Sequence, residues 1–342
     1  MKGILTFKIP LFYLVILTCI ASYSTYLITT SYYNLEKSLI AASQLEETSP
    51  ASSCDYQIRR LNGYSFIKPL LYADKNCETV AFNPIKQMVL SVIDRYKLSG
   101  VLASASVYVR DFNEGDFMSI NEDEKYTPGS LMKVPALITY LRMEEDNPGI
   151  LDKELVFQHV YPTLKKVSLD TGLIVLGKKY TIRQLLKNMI VKGDENATAL
   201  LNAHIDIKVF QKTFTDMGLL APEKIDANYP ISATDYSLFM RTLYNATYLT
   251  INDSEYATEL LSKCSYSEIG GDPVLPTASR VAYKFGEEDT AVEKELHESA
   301  IVYVNHYPYL ITIMTKGNDL KKLSNVVGQI STIVYKQMAA KG

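Results

Sequence analysis

Strand-like patterning occurs at two separated places in this chain, and that spacing limits the folds open to it. A helix starts at Asn83-Pro84, with Asn83 as cap and Pro84 in the first turn, and Ile85, Met88, Val89, Val92, Ile93 and Tyr96 as its buried stripe. β-Branched and aromatic residues follow from Ala103 to Phe112 and from Phe117 to Ile120, around the turn residues Asn113-Glu114-Gly115-Asp116. That is a hairpin. From about 145 to 265 the pattern is helical. Strand character returns at Arg280–Phe285, Ser299–Asn305 and Tyr309–Thr315. A last helix carries Leu320, Leu323, Val326, Val327, Ile330 and Val334. Both ends of the domain therefore supply one sheet and its covering helices, and the middle supplies a separate lobe. The expected class is α+β (an α/β sandwich). It has a five-stranded antiparallel sheet flanked by helices, an all-helical lobe, and a cleft between the two where a site belongs.

Within the lobe, Thr181 caps a helix with Ile182, Leu185, Leu186, Met189 and Ile190 inward. Ser232 or Thr234 caps another, and Ser254 a third. The first central helix follows Tyr126-Thr127-Pro128-Gly129 and opens at Ser130, with Leu131, Val134, Leu137, Ile138 and Leu141 at helical spacing. Ser130 and Lys133 are three apart and share a helix face. A serine hydroxyl becomes a nucleophile when a neighbouring base takes its proton, and a lysine can serve as that base. A helix N-terminus adds N–H groups for a developing oxyanion. Ser-x-x-Lys is a weak signal alone, and on these four residues the favoured reading is a capping serine and a surface lysine.

Other function classes are excluded by what the 342 residues lack. Net charge is −3 with no basic run, which argues against nucleic acid as a partner. There is no Gly-rich phosphate loop and no Cys-x-x-Cys, and the four histidines are scattered, so neither metal nor cofactor is expected.

Lys2 and Lys8 precede an uncharged run from Ile9 to Asn34, apolar enough over Ile9 to Ile28 to cross a bilayer as one helix. The flanking charge predicts an N-in, C-out anchor that places the remainder outside the cytoplasm, at the periplasmic or extracellular face. A cleaved signal peptide is the alternative. The anchor is preferred because no small-x-small site closes the run. Residues 1–30 are thus read as anchor or signal segment, 31–80 as a stalk and poorly readable lead-in, and 81–342 as the folded domain. In an oxidising compartment Cys54 and Cys77, 23 residues apart, are candidates for a disulfide, with Cys264 left over as a buried small side chain.

The element order with Ser-x-x-Lys opening the central helix resembles the penicillin-recognising serine hydrolases, class A β-lactamases most closely, over roughly residues 80–340. That family carries Ser-x-x-Lys, Ser-Asp-Asn and Lys-Thr-Gly. The resemblance makes Ser130 the nucleophile and Lys133 its activating partner, and Val134-Pro135 follows as it often does there. Lys284-Phe285-Gly286 stands at the third motif. By this resemblance Lys284 supplies a cation to substrate, Gly286 admits substrate backbone, and the N–H of Glu287 joins that of Ser130 as oxyanion hole. Phe285 replaces a threonine that contacts the substrate carboxylate. His297–Tyr303 and Ile313–Gly317 resemble the next two strands. The second motif is altered. Read without a gap, Gly193 stands for its serine, Asp194 for its aspartate and Glu195 for its asparagine. A one-residue slip keeps Asn196 as the asparagine instead. The ungapped register is preferred because Ala197, Thr198, Leu200 and Leu201 then fit the family's helix. Asp194 or Glu195 is the candidate to replace the lost serine in proton relay, against the plainer reading of a solvated turn with Asp194 as cap. No Glu-x-x-Leu-Asn deacylation string occurs between Leu201 and Ser232, where Glu223 and Asp226 are the nearest acids.

The resemblance implies an anchored serine hydrolase or acyl-transferase acting on β-lactams or D-Ala-D-Ala-type peptidoglycan peptides. The altered motifs keep open a second reading, a non-catalytic cell-envelope binding or scaffold domain on the same fold.

Overall fold

The computed structural model describes residues 23–26, 29–30, 56–75, 77–159, 174–225, 228–264, 280–291, 293–304 and 307–341. Its contacts divide the chain into two units, Met1–Asp55 and Tyr56–Gly342. In the first unit residues 23–26 and 29–30 are helical, with Thr29 Oγ1 donating to Thr25 O at 2.8 Å. No helix among the described residues is long and apolar enough to cross a membrane. Most of the apolar run expected to do so, Ile9 to Ser22 included, lies outside them.

The second unit begins with a hairpin, β1 (Tyr56–Arg60) and β2 (Leu70–Lys75). Then come α1 (Asn83–Leu98), β3 (Leu102–Asp111) and β4 (Phe117–Ile120). A 3-10 turn, Gly129–Met132, leads into α2 (Lys133–Asp146). A two-stranded ribbon, β5 (Glu154–Val156) and β6 (Lys179–Thr181), precedes α3 (Ile182–Val191) and α4 (Glu195–Asn202). The lobe continues with α5 (Ile207–Asp216), α6 (Ala233–Tyr244) and α7 (Ile251–Ser262). The chain closes with β7 (Arg280–Asp289), β8 (Lys294–Tyr303), β9 (Tyr309–Gly317) and α8 (Leu320–Ala339).

The main sheet has five antiparallel strands in the order β4-β3-β9-β8-β7, so both ends of the domain meet at the β3–β9 pair. Each face of it is covered. Leu296, Ala300 and Val302 of β8 pack with α1 and α8 residues such as Val89, Ile93, Val327 and Ile330. Ile301 of β8 and Ala282 of β7 pack toward the helical lobe. Residues of β8 two apart share a face, which puts Glu295 and His297 with Ile301, and Glu298 with Ala300. α2 runs through the lobe core. Every residue from Lys133 to Leu141 is buried, so this helix has no solvent face over its first two turns.

The Thr181 cap is present as a capping box with Gln184, and Ser232 caps α6. Three local readings are corrected. Ser130 lies inside the 3-10 turn, and α2 proper begins at Lys133. Asn83 is the first residue of α1, with Phe82 in the cap position. Thr250, not Ser254, caps α7 by accepting from Asp253 N, and Ser254 is buried one turn further on. Residues 56–75, read as lead-in, instead form a hairpin docked on the lobe. Arg59 donates to Asp216 O (2.9 Å) and Thr215 O (2.5 Å), and Asp74 pairs with Arg110 (3.0 Å) and Arg241 (2.5 Å). Cys77 is disulfide-bonded. Cys54, its expected partner, lies outside the described residues. Cys264 is half-buried, and its Sγ donates to Ile190 O at 3.1 Å.

Candidate active site

The turn that carries Ser130 is fixed from two sides before the serine is reached. On the sheet side, Thr127 N donates to Glu295 Oε2 at 2.8 Å. Thr315 N donates to His297 Nδ1 at 3.3 Å, which leaves Nε2–H of that ring to donate to Thr127 O at 3.0 Å. Burial alone would raise the Glu295 carboxyl. His297, the Thr127 N–H and Lys316 outweigh it and hold the group below the usual carboxylate range. Tyr126, one residue back, bonds Ser104 (3.1 Å) and Ser106 (2.9 Å) through its hydroxyl, and Lys316 Nζ lies 4.9 Å over its ring. On the lobe side, Tyr126 forms a backbone bridge to Ile231, and the buried Tyr236 hydroxyl donates to Leu131 O at 2.9 Å.

Strand β7 closes against the same turn. A Cβ on Gly129 would overlap Glu287 O, and one on Gly286 would overlap Pro128 O and crowd Leu131 Cγ at 2.9 Å. Only hydrogen fits at either position. The close approach sets the backbone of Glu287 against that of Gly129, the residue before Ser130. Lys284 is half-buried on the same face of β7 as Gly286, about 7 Å along the strand by strand geometry. Phe285 points the other way. Its ring packs edge-on against Tyr283, 5.1 Å between centroids, in the core under α1 and α8. Its expected place as a substrate-binding side chain is corrected, because strand alternation carries it to the far face of the sheet.

Gly286→Ala is expected to push β7 off the turn and slow acylation of Ser130 by roughly 100-fold, the scale of a displacement near 1 Å. Labelling kinetics on a variant whose circular dichroism matches the parent will read this. An unchanged rate would show that the strand does not set the serine's position.

The second motif meets the first across the start of α4. Lys133 Nζ, with its side chain 4% exposed, donates to Glu195 Oε1 at 2.5 Å and to Gly193 O at 3.1 Å. Ser130 Oγ donates to the same Glu195 Oε1 at 3.5 Å. The side-chain hydrogen bond between Ser130 and Lys133 expected from their spacing is absent among the described residues, and Glu195 stands between the two. An ammonium has donors only, so while Lys133 is paired the acceptor facing the hydroxyl is the carboxylate. These contacts favour the ungapped register. Gly193 has a φ of 69°, a left-handed backbone that a serine would adopt only at a cost of about 1 kcal/mol.

Asp194 is held by backbone amides at the start of α4. It is buried and caps α4, accepting from Ala197 N and Ile174 N, each at 3.0 Å. Its assignment as a catalytic candidate is corrected to that of a helix cap. Asn196 is half-buried, and its Oδ1 has no hydrogen-bond partner among the described residues. Glu223 is exposed, and Asp226 lies outside the described residues. Glu195 is therefore the one carboxylate within hydrogen-bond reach of Ser130 among them. No group of His, Cys, Asp and Glu among the described residues could hold a metal ion.

Sequence reading missed the Glu295–His297 clamp. Its signal was available, since Glu-x-His on one strand places both side chains on one face.

Comparison with known proteins bears on this geometry. The family model described as the beta-lactamase enzyme family matches residues 91–338. The chain belongs to that family. It is thus a serine hydrolase by descent, and the matched stretch contains Ser130, Lys133, Glu195 and Lys284. Among solved structures, the fold is similar to a beta-lactamase from Chitinophaga pinensis DSM 2588 (TM-score 0.65, 14% identity, covering 75% of this chain and 99% of that one). It is similar also to PBP-A (0.61, 15%, 75% and 96%) and to a class A beta-lactamase from Mycobacterium abscessus (0.60, 18%, 74% and 98%). At these identities the likeness is one of fold. A search of curated proteins finds no match.

Proposed function

We propose that this beta-lactamase-family protein is a membrane-anchored, envelope-facing acyl-serine enzyme that opens β-lactams or D-Ala-D-Ala-type peptides of peptidoglycan. The observation that carries the reading is the triangle of Ser130, Glu195 and Lys133. Ser130 Oγ attacks the amide carbonyl while Glu195 takes its proton, and Lys133 offsets the charge on Glu195. The backbone N–H groups of Ser130 and Glu287 receive the oxyanion. The C–N bond breaks as Glu195 returns the proton to the departing nitrogen, which replaces the serine that the altered second motif lacks. Water then cleaves the ester. Lys284, in the alternating position beside Gly286, is suited to the carboxylate that both substrate types carry. A mutant of PBP-A is described as an acyl-enzyme complex with penicillin G, which supports the same chemistry on this fold.

Fluorescent penicillin tests the proposal. The full chain is expected to take up one label, located by mass spectrometry on Ser130, and to release it slowly because no deacylation string of the class A kind precedes Ser232. Absence of label on folded protein would favour the scaffold reading instead. Fast nitrocefin turnover would move the assignment to an efficient β-lactamase.

A further inference from the structure

The β1–β2 hairpin is built with two unlike faces. Its inner face is polar and tied down through Arg59, Asp74 and Tyr72, the last donating to Met217 O at 3.2 Å, with Leu61 and Leu71 buried beside them. Its outer face and tip carry Tyr56, Ile58, Phe66, Ile67 and Leu70, all exposed, with Phe66 at 99%, while Tyr64 accepts from Arg142 of α2 at 3.3 Å. Five large apolar side chains exposed within fifteen residues form a patch rather than the scattered singles of an ordinary surface. The charge around the patch is mainly positive. From Tyr56 to Ala73 there is no carboxylate, and Arg60 and Lys68 are exposed, while Arg59 turns inward. Lys75 is exposed on the outer side; of the acids that flank the hairpin, Asp74 turns inward to Arg110 and Arg241, Glu78 pairs with Lys86, and Asp55 lies outside the described residues.

We infer that the outer face and tip of this hairpin dock on an anionic lipid bilayer, with the aromatic and aliphatic side chains at headgroup depth and the cations on lipid phosphates. The composition is that of an interfacial anchor, aromatic and basic together, and opposite charge selects the occupant. The hairpin also follows directly on residues 31–55, which tether it to the proposed span. This part of the argument rests on the anchored reading given above. A myristoyl-scale single anchor holds a protein only marginally, and a second basic–apolar contact makes the hold firm. On a spanning chain the same contact instead fixes how the domain faces the membrane.

The chain contains no tryptophan, so Phe66→Trp introduces a single emitter at an almost fully exposed side chain. The full chain is reconstituted in vesicles of phosphatidylcholine with or without phosphatidylglycerol. The expected result is a blue-shifted emission that lipids brominated near the headgroup quench, stronger with phosphatidylglycerol. Leu98→Trp, at a position 90% exposed on α1, should stay water-like and unquenched. Adding Lys68→Glu and Lys75→Glu should abolish quenching at position 66. Water-like, unquenched emission at position 66 in anionic vesicles overturns the inference. So does a blue shift without lipid quenching, which would mean a second copy if concentration-dependent and residues 31–55 if not. Extraction with alkaline carbonate reports on the span separately. If the chain is stripped from vesicles, the anchored reading fails, and quenching by vesicles added afterwards still decides whether the hairpin docks.

Discussion

Glu195→Gln is expected to slow acylation of Ser130 by roughly 10²–10⁴-fold, the range that a positioned general base contributes. Glutamine keeps the size of the side chain and its oxygen, so Lys133 retains a hydrogen-bond partner while the proton acceptor is lost. Lys133→Ala should be at least as damaging. It removes the cation and leaves a carboxylate, 22% exposed, without its partner beside the nucleophile. Ser130→Ala should take no label at all. The informative comparison is between the two variants. If the carboxylate is the base, Glu195→Gln labels slowly although Lys133 is still present. A Glu195→Gln protein that labels at the parental rate would return the role of base to Lys133.

Glu298→Gln is expected to flatten the dependence of stability on pH. Glu298 is 1% exposed, neither carboxyl oxygen has a hydrogen-bond partner among the described residues, and its neighbours in register are Phe285 and Ile313. Burial alone raises its pKa from 4.5 to about 8. Between those values the unfolded chain is ionised while the folded chain keeps the proton. The folded state therefore binds more protons, and stability falls as pH rises, at up to about 1.4 kcal/mol per unit. The stabilisation relative to the ionised state is complete below about pH 4.5, declines through the neutral range and is gone above about 8. Over the whole window the loss is on the order of 5 kcal/mol, a large part of the stability of an ordinary domain. Urea midpoints at pH 5 and pH 8 should diverge in the parent and converge in the variant. Equal divergence in both would place the proton uptake elsewhere.

What could be read from residues alone follows the range of the interactions concerned. The apolar stripe from Leu131 to Leu141 and the Thr181 cap are local patterns, and both appear in the structure as read. The sheet followed from patterning at the two ends of the domain, since no other arrangement pairs them. The hairpin at 56–75 escaped because its inward positions include Arg59 and Asp74, so its periodicity reads as polar although those charges are satisfied within the fold. Ser254 was a reasonable cap by type. Thr250 serves because the helix starts a turn earlier, which no residue preference separates. In the site, Ser130 and Lys133 were legible as neighbours on one turn. Their link through Glu195, more than sixty residues on, required the fold. Asp194 and Glu195 are adjacent carboxylates with opposite fates, one bonded to backbone amides at a helix start and one facing an amine. Only the direction of each side chain separates them.

The serine-bearing turn is riveted to the sheet through Thr127 and to the helical lobe through Tyr126 and Leu131. A joint fastened to both plates leaves no pivot at the nucleophile. In the proposed reaction the hydroxyl is thus set before substrate arrives, and the approach of substrate has to be guided by the groups around it and not by movement of the turn itself.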